Sequence, residues 1–283
     1  MKIGNYEIFT LETGYIGLDG GAMFGVVPKA LWSKTNPADE QNRIQLAMRT
    51  MVIRNDKRTI LVDAGVGQKM NDKLQKIYKV DHEQYDLVGS LRKAGIEPQD
   101  VTDVIVTHLH FDHVGGATYY DATDNLQLTF PRAQFHVQGE QWHWAHNPSE
   151  KDKASYMPEN FQPIQDQGKL NQLPGPQELF PGIDVLVVYG HTHGMQLPRI
   201  SADDKTVLYC ADLIPTASHI PLPYIMAYDN NPMITLQEKK RILPQALEQN
   251  WLLVFEHDPY HAAGYVEKDD KGYRLGREEQ LHA

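Results

Sequence analysis

The stretch His108-Leu109-His110-Phe111-Asp112-His113 decides how this chain is read. It follows the apolar run Val104-Ile105-Val106 and packs three imidazoles and a carboxylate into six residues. Imidazole nitrogen is the commonest ligand of zinc-like cations, and carboxylate oxygen completes such shells. Four ligands on so short a loop do not easily surround one ion tetrahedrally. They suit two adjacent ions, His108 and His110 facing one and Asp112 and His113 the other. The bland alternative is a solvated His-rich loop, but a strand that ends in so costly a charged cluster predicts a use for it.

Outward from this stretch, three later apolar runs end in the same manner. Residues 182–189 read as a buried strand leading into Gly190-His191-Thr192-His193-Gly194. Residues 206–210 lead to Ala211-Asp212, and residues 251–255 lead to Glu256-His257-Asp258. A lone strand-end His or Asp is as well explained by a cap or a turn; the ordered series is what is specific. Open sheets gather their sites beyond strand ends, so convergence of these residues is physically sensible.

In this order the motifs resemble those of the metallo-β-lactamase superfamily over nearly the whole chain. Leu61-Val62-Asp63-Ala64-Gly65 is similar to the family's opening Asp-Gly motif, and Gly115 and Gly116 follow its His motif. The resemblance implies one metal held by His108, His110 and His191 and a second by Asp112, His113 and His257. Asp212 would bridge the two beside a solvent-derived hydroxide. Residues 19–29 and 211–216 look like the YtnP-like branch, quorum-quenching lactonases acting on N-acyl-homoserine lactones. The implied chemistry is attack of the bridging hydroxide on a lactone carbonyl, with Asp112 as ligand and proton shuttle. Two divalent ions are implied; nitrogen- and oxygen-rich ligands suit zinc first, then manganese, iron or cobalt.

Two departures bear on the mechanism. Many lactonases of the superfamily carry Tyr three residues after the bridging Asp, where this chain has Pro215; Tyr224 and Tyr228 on the following loop are the candidates to replace it. His193 stands where Pro is common and is assigned to support or surface, not to the metals. Phe111, between two ligands, and Met23 and Phe24, on a Gly-rich loop, are expected to line an acyl or leaving-group pocket, against the alternative of core or interface packing. Trp142 and His146 share a helix face and read as packing or a lid.

The 283 residues are 41% apolar and 23% charged, an ordinary globular composition, read here as one domain spanning 1–283 because the ligand-bearing strands must meet at one site. A formal charge of −10 argues against a nucleic-acid partner. The lone Cys210 excludes an intrachain disulfide and reads as a small buried filler. No run reaches membrane-span length, and Met1 to Glu7 lacks an apolar signal core, so no membrane partner and a cytoplasmic location are expected.

Strands are expected as a pair over residues 1–16, at 46–54 and 58–63, and around Phe135. Helices are expected at 85–94, 113–120, 139–146 and 235–249, the last capped by Thr235. Residues 17–42 read as a loop-rich insertion exposing Met23, Phe24 and Trp32, which suggests a homodimer, and residues 158–181 as a Pro-rich surface loop. Strands alternating with helices predict an α/β fold, an αββα sandwich of two mixed β-sheets flanked by helices.

The metal centre alone does not choose among substrates. A phosphotriesterase, arylesterase or thioesterase would use the same ligands on another small-molecule ester. Asp212 excludes β-lactamases with Cys at the bridging position, and His110 argues against flavodiiron oxidoreductases. The alternative of another class is a non-catalytic metal-binding scaffold, against which stands the retention of seven ligands.

Overall fold

The structure, a computed structural model, describes residues 1–281. The strands Lys2–Ile3, Tyr6–Asp19, Arg43–Arg54, Thr59–Val62, Asp103–Ile105, Gln134–Gln138 and Leu170–Leu173 form one seven-stranded sheet in chain order. Neighbours run antiparallel as far as Thr59–Val62 and parallel from there on. A second seven-stranded sheet holds Gln177–Phe180, Ile183–Val188, Met195–Ala202, Lys205–Tyr209, Leu252–Val254, Ala263–Asp269 and Gly272–Glu279, again in chain order. All its pairs are antiparallel except Lys205–Tyr209 with Leu252–Val254. Parallel neighbours need long crossovers, and the helices Leu87–Lys93 and Pro232–Glu248 lie in two of them.

Side-chain alternation sorts the apolar residues into layers. Ile60 and Val62 join Ile183, Leu197, Val207 and Leu252 in the core between the sheets. Leu61 and Val104 point the other way and pack with Leu91, Trp142 and Phe161 from the helices outside. Ile242, Leu243 and Ala246 of the long helix cover the second sheet. This is the expected sandwich of two mixed sheets between helices. The helix Leu87–Lys93 starts where the Asp86 carboxylate accepts the Gly89 N–H at 2.8 Å.

Several local expectations are corrected. Residues 17–42 are not an exposed loop: the strand runs on to Asp19, and the short helices Gly20–Phe24 and Lys29–Trp32 follow. Met23, Phe24 and Trp32 are buried with Ile16, Ile44 and Met226, because Asp19 caps Ala22 N–H at 2.8 Å and the Phe24 and Trp32 rings stack at 5.4 Å. The ground for a dimer through these residues is thereby removed. The helix expected at 113–120 is a single turn, Phe111–Val114, then a 3-10 turn and the strand Thr118–Tyr120, as Gly115-Gly116 followed by Thr-Tyr-Tyr favours. The long helix begins at Pro232, and Thr235 gives its hydroxyl to Asp229 at 2.7 Å instead of capping. Residues 158–181 contain the helix Pro158–Asp166, opened by a proline in its first turn, and two strands. Among the described residues no helix is long and apolar enough to cross a membrane.

Candidate metal centre

Loops from both sheets meet at the seam between them. The His loop follows Asp103–Ile105; His191, Asp212 and His257 follow Ile183–Val188, Lys205–Tyr209 and Leu252–Val254. The seam is tied by polar side chains. Gln196 donates to the carbonyls of Val106 and His136 at 2.7 and 2.8 Å. Gln141 accepts the Leu109 N–H at 3.3 Å and donates to the His193 carbonyl at 2.6 Å. Arg49 donates to the Phe255 carbonyl and, at 2.9 Å, to that of Asp258.

Local backbone geometry aims the loops. The His loop passes so close to residues 64–67 that a Cβ on Gly115 would strike the Val66 carbonyl and one on Gly116 that of Ala64. Asp63 takes a left-handed conformation (φ 60°), which turns its carboxylate under the His loop. It accepts the Thr107 N–H at 2.7 Å and the Thr107 hydroxyl at 2.6 Å. Ala211, at φ 42°, bends the chain just before Asp212.

Four of the five rings are fixed from behind; the outer nitrogen of His110, Nε2, is buried without a partner. His113 Nδ1 faces Asp63 Oδ2 at 3.1 Å and Glu256 Oε2 at 3.0 Å. His191 Nδ1 faces Asp229 at 2.9 Å, His257 Nδ1 the Ala47 carbonyl at 2.9 Å, and His108 Nδ1 the Thr107 hydroxyl at 3.0 Å. The opposite nitrogens converge. His108 Nε2 and His191 Nε2 lie 3.0 and 3.2 Å from His110 Nδ1. His257 Nε2 lies 3.2 Å from His113 Nε2, and both lie within 3.9 Å of Asp112 Oδ2. Asp212 stands between the groups, Oδ2 at 3.0 Å from His191 Nε2 and Oδ1 at 3.2 Å from His257 Nε2.

The buried charges set the electrostatics. Burial, with neighbouring imidazoles adding, holds His108 and His110 well below the usual histidine range. Burial also opposes charge on His191 and His257, but the Asp212 carboxylate outweighs it and pushes both up to about 9. Burial would raise Asp212 itself, yet His191, His113 and His257 hold it well below the carboxylate range. Burial pushes the Glu256 carboxyl up to about 8. Carboxylates that favour positive charge among buried imidazoles favour a cation there as well.

The residues fit a pair of metal ions. Two groups, His108-His110-His191-Asp212 and Asp112-His113-His257, each offer ligand atoms within 4.8 Å of one another. Zinc–nitrogen bonds of about 2.1 Å give tetrahedral edges of about 3.4 Å, the scale of the donor separations above. Asp212 Oδ1 is buried without a hydrogen-bond donor, as an oxygen meant for a cation would be. A third group, Asp63-His113-Glu256, shares His113 and lies behind its ring.

A cavity of about 90 Å³ opens over the two groups. His110, Asp112, His191, Asp212 and His257 form its floor, and Phe111, Met23 and Tyr228 line it. Phe24 does not: its ring is fully buried between Trp32 and His219, stacked on the latter at 4.6 Å. Tyr224 packs edge-on against Phe24 at 6.1 Å and is also absent from the lining. His193 stacks on Trp144 at 4.1 Å, Trp142 and His146 pack on Phe161, and Cys210 is buried. Sequence reasoning missed Tyr78, which stacks on Phe111 at 4.8 Å, and Lys151, Ser155 and Met226, all of which line the cavity. It also passed over Asp229 and Glu256 as supports of His191 and His113. Glu256 was signalled only by its place beside the strand-end His257, and Asp229, in the loop before the helix Pro232–Glu248, carried no local signal.

The model of the metallo-beta-lactamase superfamily matches residues 49–257. An N-acyl homoserine lactonase from Bacillus sp is 27% identical over 180 residues, 62% of this chain and 63% of that enzyme. The chain thus spans less than two thirds of that relative. A probable metal-dependent hydrolase from Staphylococcus aureus is 31% identical, covers 100% of this chain and 99% of its own, and superposes with a TM-score of 0.89. AidC, a dizinc quorum-quenching lactonase solved with a product, is 22% identical over 100% of this chain and 97% of its own, at a TM-score of 0.81, and shares the fold.

Proposed function

This chain belongs to the metallo-beta-lactamase superfamily, and on that premise we propose that it is a dinuclear-metal-dependent hydrolase that opens the ring of N-acyl-homoserine lactones. His108, His110 and His191 would hold one ion and Asp112, His113 and His257 the other, with Asp212 between them. The observation that carries the reading is the common orientation of the rings: Nδ1 of His108, His113, His191 and His257 is engaged from behind, so that Nε2 turns inward. When bound, the cation pair supplies Lewis acidity, activating water and polarising a carbonyl oxygen.

The chain's own residues do the rest. Asp112 lines the cavity, where its carboxylate can take a proton from the attacking water and return it to the departing ring oxygen. Burial raises the hydroxyls of Tyr78 and Tyr228, the latter to about 12, so both remain donors at neutral pH for a substrate carbonyl. Met23, Phe111 and Met226 give the acyl side an apolar wall that keeps bulk water off the reacting bond. The Tyr78–Phe111 stack favours an aryl ester as the second reading.

The test is a hydrolysis panel on protein of measured metal content: homoserine lactones of several acyl lengths, a phosphotriester, an aryl ester and a thioester. Lactone opening should dominate, and Asp112→Asn should lower kcat by about 10²–10⁴-fold with its melting curve retained. Protein carrying two equivalents of metal that opens no lactone would sink the proposal.

A further inference from the structure

Lys151 is the one Lys or Arg among the residues that line the cavity. It lies after the helix Gly139–His146 and is exposed. Its Nζ donates to the Tyr228 carbonyl at 2.6 Å, which ties it to the cavity wall and leaves two ammonium hydrogens without a protein acceptor among the described residues. Partial burial of its ammonium against the cavity wall lowers its pKa, and the Asp229 and Asp152 carboxylates oppose this by attracting it, yet neither forms an ion pair with it, because their oxygens are engaged elsewhere. Asp152 accepts from Ser149, Trp144 and Asn230. Asp229 faces His191 and accepts from Thr235.

The size of the cavity adds a second observation. About 90 Å³ admits the reacting carbonyl end of a substrate and little more. The remainder of any larger substrate must cross the rim, where Lys151 stands. On the rest of the wall Leu18, Met23, Leu46 and Met226 are apolar, Tyr78, Ser155 and Tyr228 offer only uncharged hydroxyls, and the Asp152 carboxylate is held by Ser149, Trp144 and Asn230, so outside the metal floor Lys151 is the one cationic partner for an anion.

We propose that Lys151 is a specificity-determining residue that receives a carboxylate carried on the acyl arm of the substrate. The inference rests on the dinuclear hydrolase reading and narrows it: among acyl lactones and esters, those whose arm ends in a carboxylate are preferred to uncharged ones of equal length. Arm length is set by the path from the cavity floor to the rim, so one length in a series should be favoured.

The test uses the full metal-loaded chain and two readouts. The first is kcat/KM for the 4-nitrophenyl half-esters of succinate, glutarate and adipate against the butanoate, pentanoate and hexanoate esters. The second is calorimetric binding of glutarate against pentanoate, which needs no turnover. The anionic member should be preferred in both, and Lys151→Met should cut the preference about fivefold, the scale of one solvent-exposed charge-assisted bond. Lys151→Arg should keep the preference, and added salt should shrink it in the parent. A lysine that merely props the Tyr228 loop would move charged and uncharged ligands together. A binding preference that is absent, or unchanged in Lys151→Met, overturns the proposal whether or not the esters turn over. Failure to turn over any ester, with the Lys151-dependent glutarate preference intact, would instead overturn the hydrolase reading and leave the anion site standing.

Discussion

Replacing Asp63 by Asn tests whether the supports behind the rings matter as much as the rings. Asp63 is fully buried and accepts from Thr107 N–H, from the Thr107 hydroxyl and, across 3.1 Å, from His113 Nδ1. The Asn carbonyl can still take the Thr107 N–H. Its amide nitrogen then stands where Oδ2 stood and turns two donors against the Thr107 hydroxyl and the His113 ring. Hydrogen bonds to a charged group contribute about 1.5–3 kcal/mol each, so two lost bonds amount to about 3–6 kcal/mol. Glu256, 3.0 Å from His113 Nδ1, can keep one proton acceptor in place. The expected net loss is therefore about 3 kcal/mol in stability, and about 10–100-fold in metal affinity. Urea unfolding gives the first quantity and competition with a chromophoric chelator the second. An Asp63→Asn protein that binds both ions as tightly as its parent and unfolds within about 1 kcal/mol of it would refute the argument from second-sphere support.

Three further outcomes follow from burial. Phe24→Ala should cost about 3–5 kcal/mol in urea unfolding and leave the acyl-length preference unchanged. Met23→Ala, which trims the cavity wall, should weaken long-armed substrates more than short ones by about 0.8 kcal/mol per methylene left uncovered; an acyl series that responds to Phe24→Ala instead would reverse the assignment. Lys239 is buried and donates to the carbonyls of His219, Pro221 and Tyr224 at 2.6, 2.8 and 2.9 Å, and burial pushes its pKa down to about 7. The unfolded chain holds that proton up to about pH 10.4, so between the two values the unfolded state binds more protons and stability rises with pH. The gap between parent and Lys239→Met should therefore change by up to about 1.4 kcal/mol per pH unit across that window, in the parent's favour as pH rises; parallel stability–pH curves would refute the assignment.

The ligand series was legible because each member ends an apolar strand, and strand ends in such sheets point at one seam. The alternation that puts Ile60 and Val62 inward and Leu61 outward was legible for the same reason. Residues 17–42 misled because turn-forming glycines conceal that Met23, Phe24 and Trp32 bury one another; mutual burial of aromatics has no short period in sequence. Tyr78 and Lys151 reach the cavity from excursions that carry no motif, so only tertiary approach reveals them. Glu256 was visible as a neighbour of His257, but its contact with His113 spans the seam between sheets and could not be read locally.

The seam has a consequence for divergence. The seven converging donors sit just beyond strand ends or, for Asp112 and His113, on the helical turn Phe111–Val114, locked by Gln141, Gln196 and Arg49, where almost any exchange unsettles both halves. Met23, Tyr78, Lys151 and Tyr228, by contrast, come from four separate excursions. Selection can therefore retool what the molecule accepts, one excursion at a time, while the reactive hub stays untouched.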